Sequence, residues 1–247
     1  MPTVTHIGGP TGLIRYAGLT VLTDPTFSPP GEYAGGLVKT TGPAVGAAEL
    51  PDLDLVLVSH DHHSDNLDPA GRELLAGAGR VLTTTAGAAR LGGKAAGLEP
   101  WQSNSVGGMT VTAVPALHGP PGSEDVTGPV IGFVLTAPEH PSLYISGDNA
   151  SLGVVEEIRE KLGPLNRAVL FAGGVQLAHR FDGAYLTLSA DLAALAAIRL
   201  EAPRVAVVHN EGWTHFTQTP EQTRAAFQGQ GIADRLVKLE PGVPTEL

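Results

Sequence analysis

Apolar positions along this chain fall in short runs separated by glycine, proline and polar residues, a rhythm of strands and turns. Residues 4–7, 12–16 and 19–23 read as three strands, with turns at Gly8-Gly9-Pro10 and Ala17-Gly18. Residues 54–59 are apolar and β-branched and predict a buried strand. Further strands are predicted at 80–84, at 130–136, 143–146, 168–171, 204–208 and 236–239, and as a pair over 105–115 turned at Gly107-Gly108. Helical signals appear at 69–78, where Asp68 is an N-cap and Pro69 suits the first turn. They recur at 85–91, at 152–162 (Val154, Val155, Ile158 and Leu162 near one face), at 188–200, and at 220–228 behind Thr219. The first half is mainly strands and the second alternates helix and strand. That order predicts an α/β fold, two packed sheets with helices outside, as a single domain over residues 1–247. Residues 28–50, rich in glycine and proline, read as a long surface loop, either a lid or a connector.

Composition narrows the classes. A chain of 247 residues, 42% hydrophobic and 16% charged, can bury a large core and is not disordered. It has no cysteine, which excludes disulfides, thiolate ligands and a cysteine nucleophile, and suits a cytoplasmic setting. The first residues lack the basic region and apolar core of a signal peptide, and no apolar run approaches the ~18 residues of a membrane span. A net charge of −10 without a basic cluster argues against nucleic acid as partner. A small anionic substrate stays open, because a metal ion can supply positive charge locally.

The chemistry concentrates where the 54–59 run stops. His60-Asp61-His62-His63-Ser64-Asp65-Asn66-Leu67-Asp68 packs three histidines and three aspartates into nine residues at a strand's carboxyl end. Open α/β sheets place ligands there. Imidazole and carboxylate this close are donors suited to Zn²⁺, Mn²⁺ or Fe. Three more predicted strands deliver His118, Asp148 (in Ser146-Gly147-Asp148) and His209 in the same way. Four strand ends carrying metal-type side chains are hard to explain as packing, and rigid elements converging on a point are what a metal centre requires.

This series, with Leu22-Thr23-Asp24-Pro25, resembles the metallo-β-lactamase superfamily. It looks most like the branch containing ascorbate-6-phosphate lactonases and N-acyl-phosphatidylethanolamine phospholipases. The resemblance spans nearly the whole chain. It implies a four-layer αββα sandwich with a one- or two-metal site at one edge of the sheets, zinc first, manganese or iron as alternatives. The family motif His-x-His-x-Asp-His fits in two ways. Anchored on Ser59-His60, it makes His60 and His62 ligands and puts Ser64 and Asp65 at the Asp and last-His positions. Anchored on Asp65-Asn66-Leu67-Asp68, it makes His63 and Asp65 ligands and puts Asn66 at the last His. A one-residue bulge keeps His60, His63 and Asp65 together; His62 and His63 stay alternatives. Either way the last histidine is missing, and asparagine or serine is a far weaker ligand.

The resemblance further implies that a His pair with His118 holds one ion, that Asp65 and His209 hold a second, and that Asp148 bridges them. Asp65 would also orient the attacking water. His215, in the loop leaving the same strand end as His209, either binds substrate or acts as a general acid, or is a surface or structural histidine. Asp24 and Asp68 are either partners of ligand histidines or simple turn and cap residues. His179 is a weaker candidate for the site, and Trp213 and Phe216 are candidate pocket walls. The function expected is a metal-dependent hydrolase of a small ester, lactone or phosphodiester. The alternative is a metal-binding protein of the same fold with little catalysis. The partner implied is a small molecule, neither nucleic acid nor membrane; assembly into a homo-oligomer is left open.

Overall fold

The computed structural model describes residues 1–177 and 180–247. His179 therefore lies outside the described residues. In chain order the strands are β1 (Thr3–Gly8), β2 (Thr11–Tyr16), β3 (Leu19–Thr23), β4 (Gly31–Tyr33), β5 (Leu37–Lys39), β6 (Leu55–Leu57), β7 (Arg80–Thr84), β8 (Ala95–Leu98), β9 (Ser103–Val106), β10 (Met109–Pro115), β11 (Ile131–Thr136), β12 (Leu143–Ile145), β13 (Arg167–Phe171), β14 (Arg204–Val208) and β15 (Thr245–Glu246). The helices are α1 (Pro69–Leu74), α2 (Thr85–Leu91), α3 (Glu124–Thr127), α4 (Leu152–Leu162), α5 (Ala190–Arg199) and α6 (Pro220–Gly229).

One sheet runs β15-β1-β2-β3-β6-β7-β8 and the other β14-β13-β12-β11-β10-β9. The antiparallel hairpins of each sheet give way to parallel pairs, β3-β6-β7-β8 and β12-β13-β14. Side chains alternate faces along a strand, so the central strands need apolar residues on both. Leu55 and Leu57 of β6, Leu143 and Ile145 of β12, Val169 and Phe171 of β13, and Ala206 and Val208 of β14 fill one shared core between the sheets. Their neighbours Val56 and Val58 face a core with Leu67, Leu75 and Ala78 around α1. Tyr144, Ala168, Leu170 and Val205 meet the alanine-rich α5 together with α4 and α6. The result is an αββα sandwich.

Several expected elements differ. Residues 236–239 are not a strand: Leu236 makes a lone bridge to Val205, and β15, paired with β1, closes the first sheet instead. The first helix ends at Leu74 rather than near Ala78, and the chain returns to β7 past Gly79, where a Cβ would lie 2.7 Å from Asp54 O. β8, Ala-Ala-Gly-Leu, carries no β-branched or aromatic residue and so gives no strand signal. The 28–50 segment is not a free loop. It contains the β4–β5 hairpin, and Lys39 is buried against Asp68 at 3.1 Å and bridges to Trp213. Among the described residues no helix is long and apolar enough to cross a membrane.

Candidate metal centre

The strand ends meet at one edge of the sandwich. β6 stops because its next residues turn away under hydrogen bonds: Ser59 N and Oγ both donate to Asp24 Oδ1, at 2.9 and 2.7 Å. Ser59 O accepts from Ile131 N of the opposite sheet at 3.2 Å. The two sheets come so near here that a Cβ on Gly147 would lie 2.7 Å from Ile131 O and 2.9 Å from Ser59 Cβ. Gly147 has φ +57°, so the turn presenting Asp148 needs glycine twice over. His209 sits at φ +62°, a conformation uncommon for a residue with a side chain, held by its N–H donating to Gly9 O at 2.8 Å.

His60, His118, Asp148, His209, Asp65 and Asn66 are all buried, and His63 is half-buried. His60 Nε2 and His63 Nδ1 stand 2.9 Å apart. His60 Nε2 and His118 Nε2 lie 3.9 and 3.7 Å from Asp148 Oδ2. On the other side, His209 Nε2 is 3.6 Å from Asp148 Oδ1 and 3.4 Å from Asp65 Oδ2, and His215 Nε2 is 2.9 Å from Asp65 Oδ2. Donor atoms of His60, His118 and Asp148 all fall within 4.8 Å of one another, and so do those of Asp65, Asp148 and His209 and those of His60, His62 and His63.

Hydrogen bonds at the back of the rings decide which nitrogens face inward. Ser59 Oγ gives its proton to Asp24, so it accepts from His60 Nδ1 at 3.0 Å and His60 Nε2 carries the lone pair. His118 Nδ1 donates to Leu186 O at 2.7 Å, which likewise leaves Nε2 as an acceptor facing Asp148. Burial, reinforced by neighbouring histidines, holds His60 well below the ordinary imidazole range. Burial chiefly brings His63 to about 4. Both rings are neutral at pH 7. On the other side burial opposes charge on His209, but Asp148 and Asp65 outweigh it and raise its pKa. Burial would raise Asp65, yet the adjacent His209 ring and the hydrogen bond from His215 outweigh it and hold the carboxyl well below its usual range. Burial pushes Asp24 up to about 8 against its bonds to Ser59.

These residues fit a metal ion. Both ring nitrogens of buried His209 lack a hydrogen-bond partner, a costly arrangement for an imidazole with no ion to serve. His60 Nε2 and His118 Nε2 face one carboxylate oxygen, Asp148 Oδ2, at 3.9 and 3.7 Å, too long for hydrogen bonds. A cation relieves both.

The structure brings Asp65, His60, His63, His118, Asp148, His209 and His215 together. His62 stays within reach as well: a ring nitrogen lies within 4.8 Å of donor atoms of His60 and His63, while its Nε2 donates to Thr127 O at 2.7 Å, tying the histidine loop to α3, and its side chain is part-exposed at the pocket. Asp24 reaches His60 through Ser59 rather than directly. Asp68 touches no histidine. It caps α1 through Gly71 N, accepts from Phe27 N and Ser28 N, and pairs with Lys39, so its cap role holds. Trp213 and Phe216 do not line the pocket. They back the histidines, with Phe216 4.2 Å from the His209 ring and 4.6 Å from the His215 ring. Sequence reasoning misses Ser59 as a site residue; a small hydroxyl beside the first histidine is its only signal. It also leaves Asp61 unassigned, which is buried, paired with Arg90, and pins the loop from outside.

The pocket over these donors has a volume of about 270 Å³ and is lined by Ala34, Leu37, Val126, Val175, Leu177 and Leu186 beside His62, His63, His118, Asp65 and His215. A larger cavity of about 440 Å³ around Glu211, Arg224 and Lys238 contains none of the converging donors.

This arrangement agrees with comparison to known proteins. The chain belongs to the β-lactamase superfamily: the Beta-lactamase superfamily domain matches residues 20–210. It is 27% identical over 258 aligned positions to a UPF0173 metal-dependent hydrolase of Anaeromyxobacter sp. (strain K), covering 98% of this chain and 85% of that protein. Among solved structures it shares its fold with a possible metal-dependent hydrolase from Veillonella parvula (TM-score 0.88, 18% identity, 99% of both chains). It shares it also with the isothiocyanate hydrolase from Delia radicum gut bacteria (TM-score 0.86, 19% identity, 99% of this chain and 98% of that one). CmlA, a diiron β-hydroxylase from Streptomyces venezuelae, matches at TM-score 0.71 and 20% identity, all of this chain aligning with 54% of that one.

Proposed function

We propose that this protein is a metal-dependent hydrolase of small, uncharged esters or lactones. The observation that carries the substrate class is the pocket wall: six aliphatic or alanine side chains surround the donors, and no lysine or arginine lines it among the described residues. For a phosphodiester the wall adds no cationic side chain to the charge a bound metal would offer, whereas a neutral acyl compound has only its carbonyl to satisfy. The name of the Anaeromyxobacter relative supports metal-dependent hydrolysis. An isothiocyanate, the substrate named for one structural neighbour, is also small and neutral, and belongs in the same screen.

His60, His63, His118 and Asp148 would hold one ion, and Asp65, Asp148 and His209 a second. Zinc suits this donor set, with manganese or iron as alternatives. Lewis acidity at the substrate carbonyl and acidification of water are the chemistry a bound ion would supply. The chain's own groups do the rest. Asp24 and Ser59 hold the His60 ring by its outer nitrogen. Asp65, kept ionised by its neighbours, orients the attacking water. The aliphatic wall excludes bulk water and holds the acyl chain, and His215 stands beside Asp65 at the pocket edge. The substrate is a free small molecule, the whole chain acts as one domain, and the cysteine-free composition suits the cytoplasm.

The test is turnover by zinc-loaded protein on matched panels: neutral aryl esters, lactones, isothiocyanates, and phosphodiesters with the same leaving group. The reading predicts hydrolysis in a neutral class and none of the phosphodiesters. Preferred phosphodiester cleavage would overturn the substrate class. No turnover on any panel would favour the binding-protein alternative.

A further inference from the structure

The larger cavity, of about 440 Å³, lies between α6, the chain that returns from it over residues 233–241, and the turn after β14. Its volume is that of a small-molecule site, and it shares no lining residue with the pocket over the metal donors. Its walls are of two kinds. Val207, Leu236, Val237 and Leu239 are half-buried; each packs partly into a core and leaves the rest of its side chain to the cavity. His6, Asn210 and Thr223 are buried polar residues on the inner wall, joined by half-buried Glu211. Arg224 and Lys238 are exposed at the mouth, and each already has a carboxylate: Glu221 lies 2.7 Å from Arg224, and Glu240 lies 3.2 Å from Lys238.

The inner wall has acceptors to spare. Asn210 Nδ2 donates to Thr223 Oγ1 at 3.2 Å, and Thr223 Oγ1 gives its own proton to Thr219 O at 3.1 Å. Asn210 Oδ1 receives no hydrogen bond among the described residues. Neither does the Glu211 carboxylate, whose one basic neighbour among the described residues is His6, with Nδ1 3.4 Å from Oε1. The His6 ring is fixed from its far side, where Nε2 donates to Gly9 O at 3.1 Å. A carboxylate and an amide oxygen without donors suit a group rich in N–H. A primary ammonium has three donors and no acceptor. An anion would meet Glu211 inside and, at the mouth, only exposed cations that are already paired, which contribute little.

We propose that this cavity is a second small-molecule site that takes a primary ammonium on a short aliphatic body. The ammonium lies against Glu211 and Asn210 Oδ1, and the hydrocarbon lies along Val207, Leu236, Val237 and Leu239.

The test titrates zinc-loaded, isotope-labelled protein with n-hexylammonium, and with n-hexanol and hexanoate as neutral and anionic matches of equal length. Amide NMR shifts report both affinity and place, and circular dichroism checks folding. The expected result is saturable binding of hexylammonium, with shifts at Glu211 and residues 236–239, and binding of hexanol and hexanoate weaker by about tenfold or more. Glu211→Gln keeps the shape and removes the charge, and should weaken hexylammonium about tenfold, the worth of one charge-assisted hydrogen bond. Ala233→Phe adds bulk from an exposed position on the wall and should weaken it too. His6 is left intact because Gly9 O, which holds its ring, also accepts from His209 N at 2.8 Å. Hexanol binding as tightly as hexylammonium, an unchanged affinity in either folded variant, or shifts confined to the pocket over the donors would overturn the proposal. The affinity should persist in folded, zinc-free protein. Loss of binding with the zinc would mean that the amine had bound the ion, and would overturn the proposal while leaving the metal centre and its hydrolase reading intact.

Discussion

The two edges that face each other across the centre are built differently. The second sheet contributes one group per turn: His118 after β10, Asp148 after β12, His209 after β14, each within three residues of the end of a regular strand. The first sheet contributes its donors from irregular chain between β6 and α1, where His60, His63 and Asp65 are aimed by hydrogen bonds rather than by strand geometry. The second edge is rigid because its strands are; the first is rigid only because Asp24, Asp61 and Asp68 each tie part of it down. Damage to the second edge should therefore act directly on the donors, and damage to the first should act through their supports.

The largest effect expected is from His118→Ala or Asp148→Ala. Each removes a donor from a fixed position. Metal content should fall by at least one ion, and kcat/KM by more than the ~100-fold that loss of even a supporting partner can cost. Full activity in both variants would break the account of this edge.

On the first edge, Asp68→Asn should show chiefly as lost stability. Asp68 is fully buried, receives Lys39 at 3.1 Å, and caps α1. Leaving Lys39 buried without its partner costs about 3–5 kcal/mol. Urea unfolding should report that loss, and metal stoichiometry of the remaining folded protein should be unchanged. Ser59→Ala removes the link from Asp24 to His60 without touching a donor. It should weaken zinc affinity about 10–100-fold with little change in melting temperature.

The smallest effect separates two neighbours. His63→Ala should lose an ion. His62→Ala should keep both and raise KM by less than about tenfold, the worth of one hydrogen bond to Thr127 O. The reverse result would show that the loop is read in the wrong register.

The same contrast explains what is legible in the sequence. The β13 and β14 runs, their helices, and His118, Asp148 and His209 are legible because the strands signal themselves locally, β13 and β14 as continuous apolar runs and antiparallel β10 by alternation, and each donor follows within three residues of a strand end. The loop after β6 is not, because nothing in His60-Asp61-His62-His63 says which ring turns inward. Ser59 and Thr127 decide that, and Thr127 lies far along the chain. The β4–β5 hairpin reads only as a loop, since Lys39 anchors it through partners at positions 68 and 213 that no local pattern predicts. Closing strand β15 is two residues long, too short for any periodicity.

The central claim is that catalysis depends on metal held at these donors. The most direct measurement is hydrolysis of the best neutral ester or lactone by one preparation in three states: as purified, after chelation until elemental mass analysis finds no bound metal, and after zinc is restored. The account predicts that turnover disappears with the metal and returns with it. Turnover that survives metal removal unchanged would contradict it.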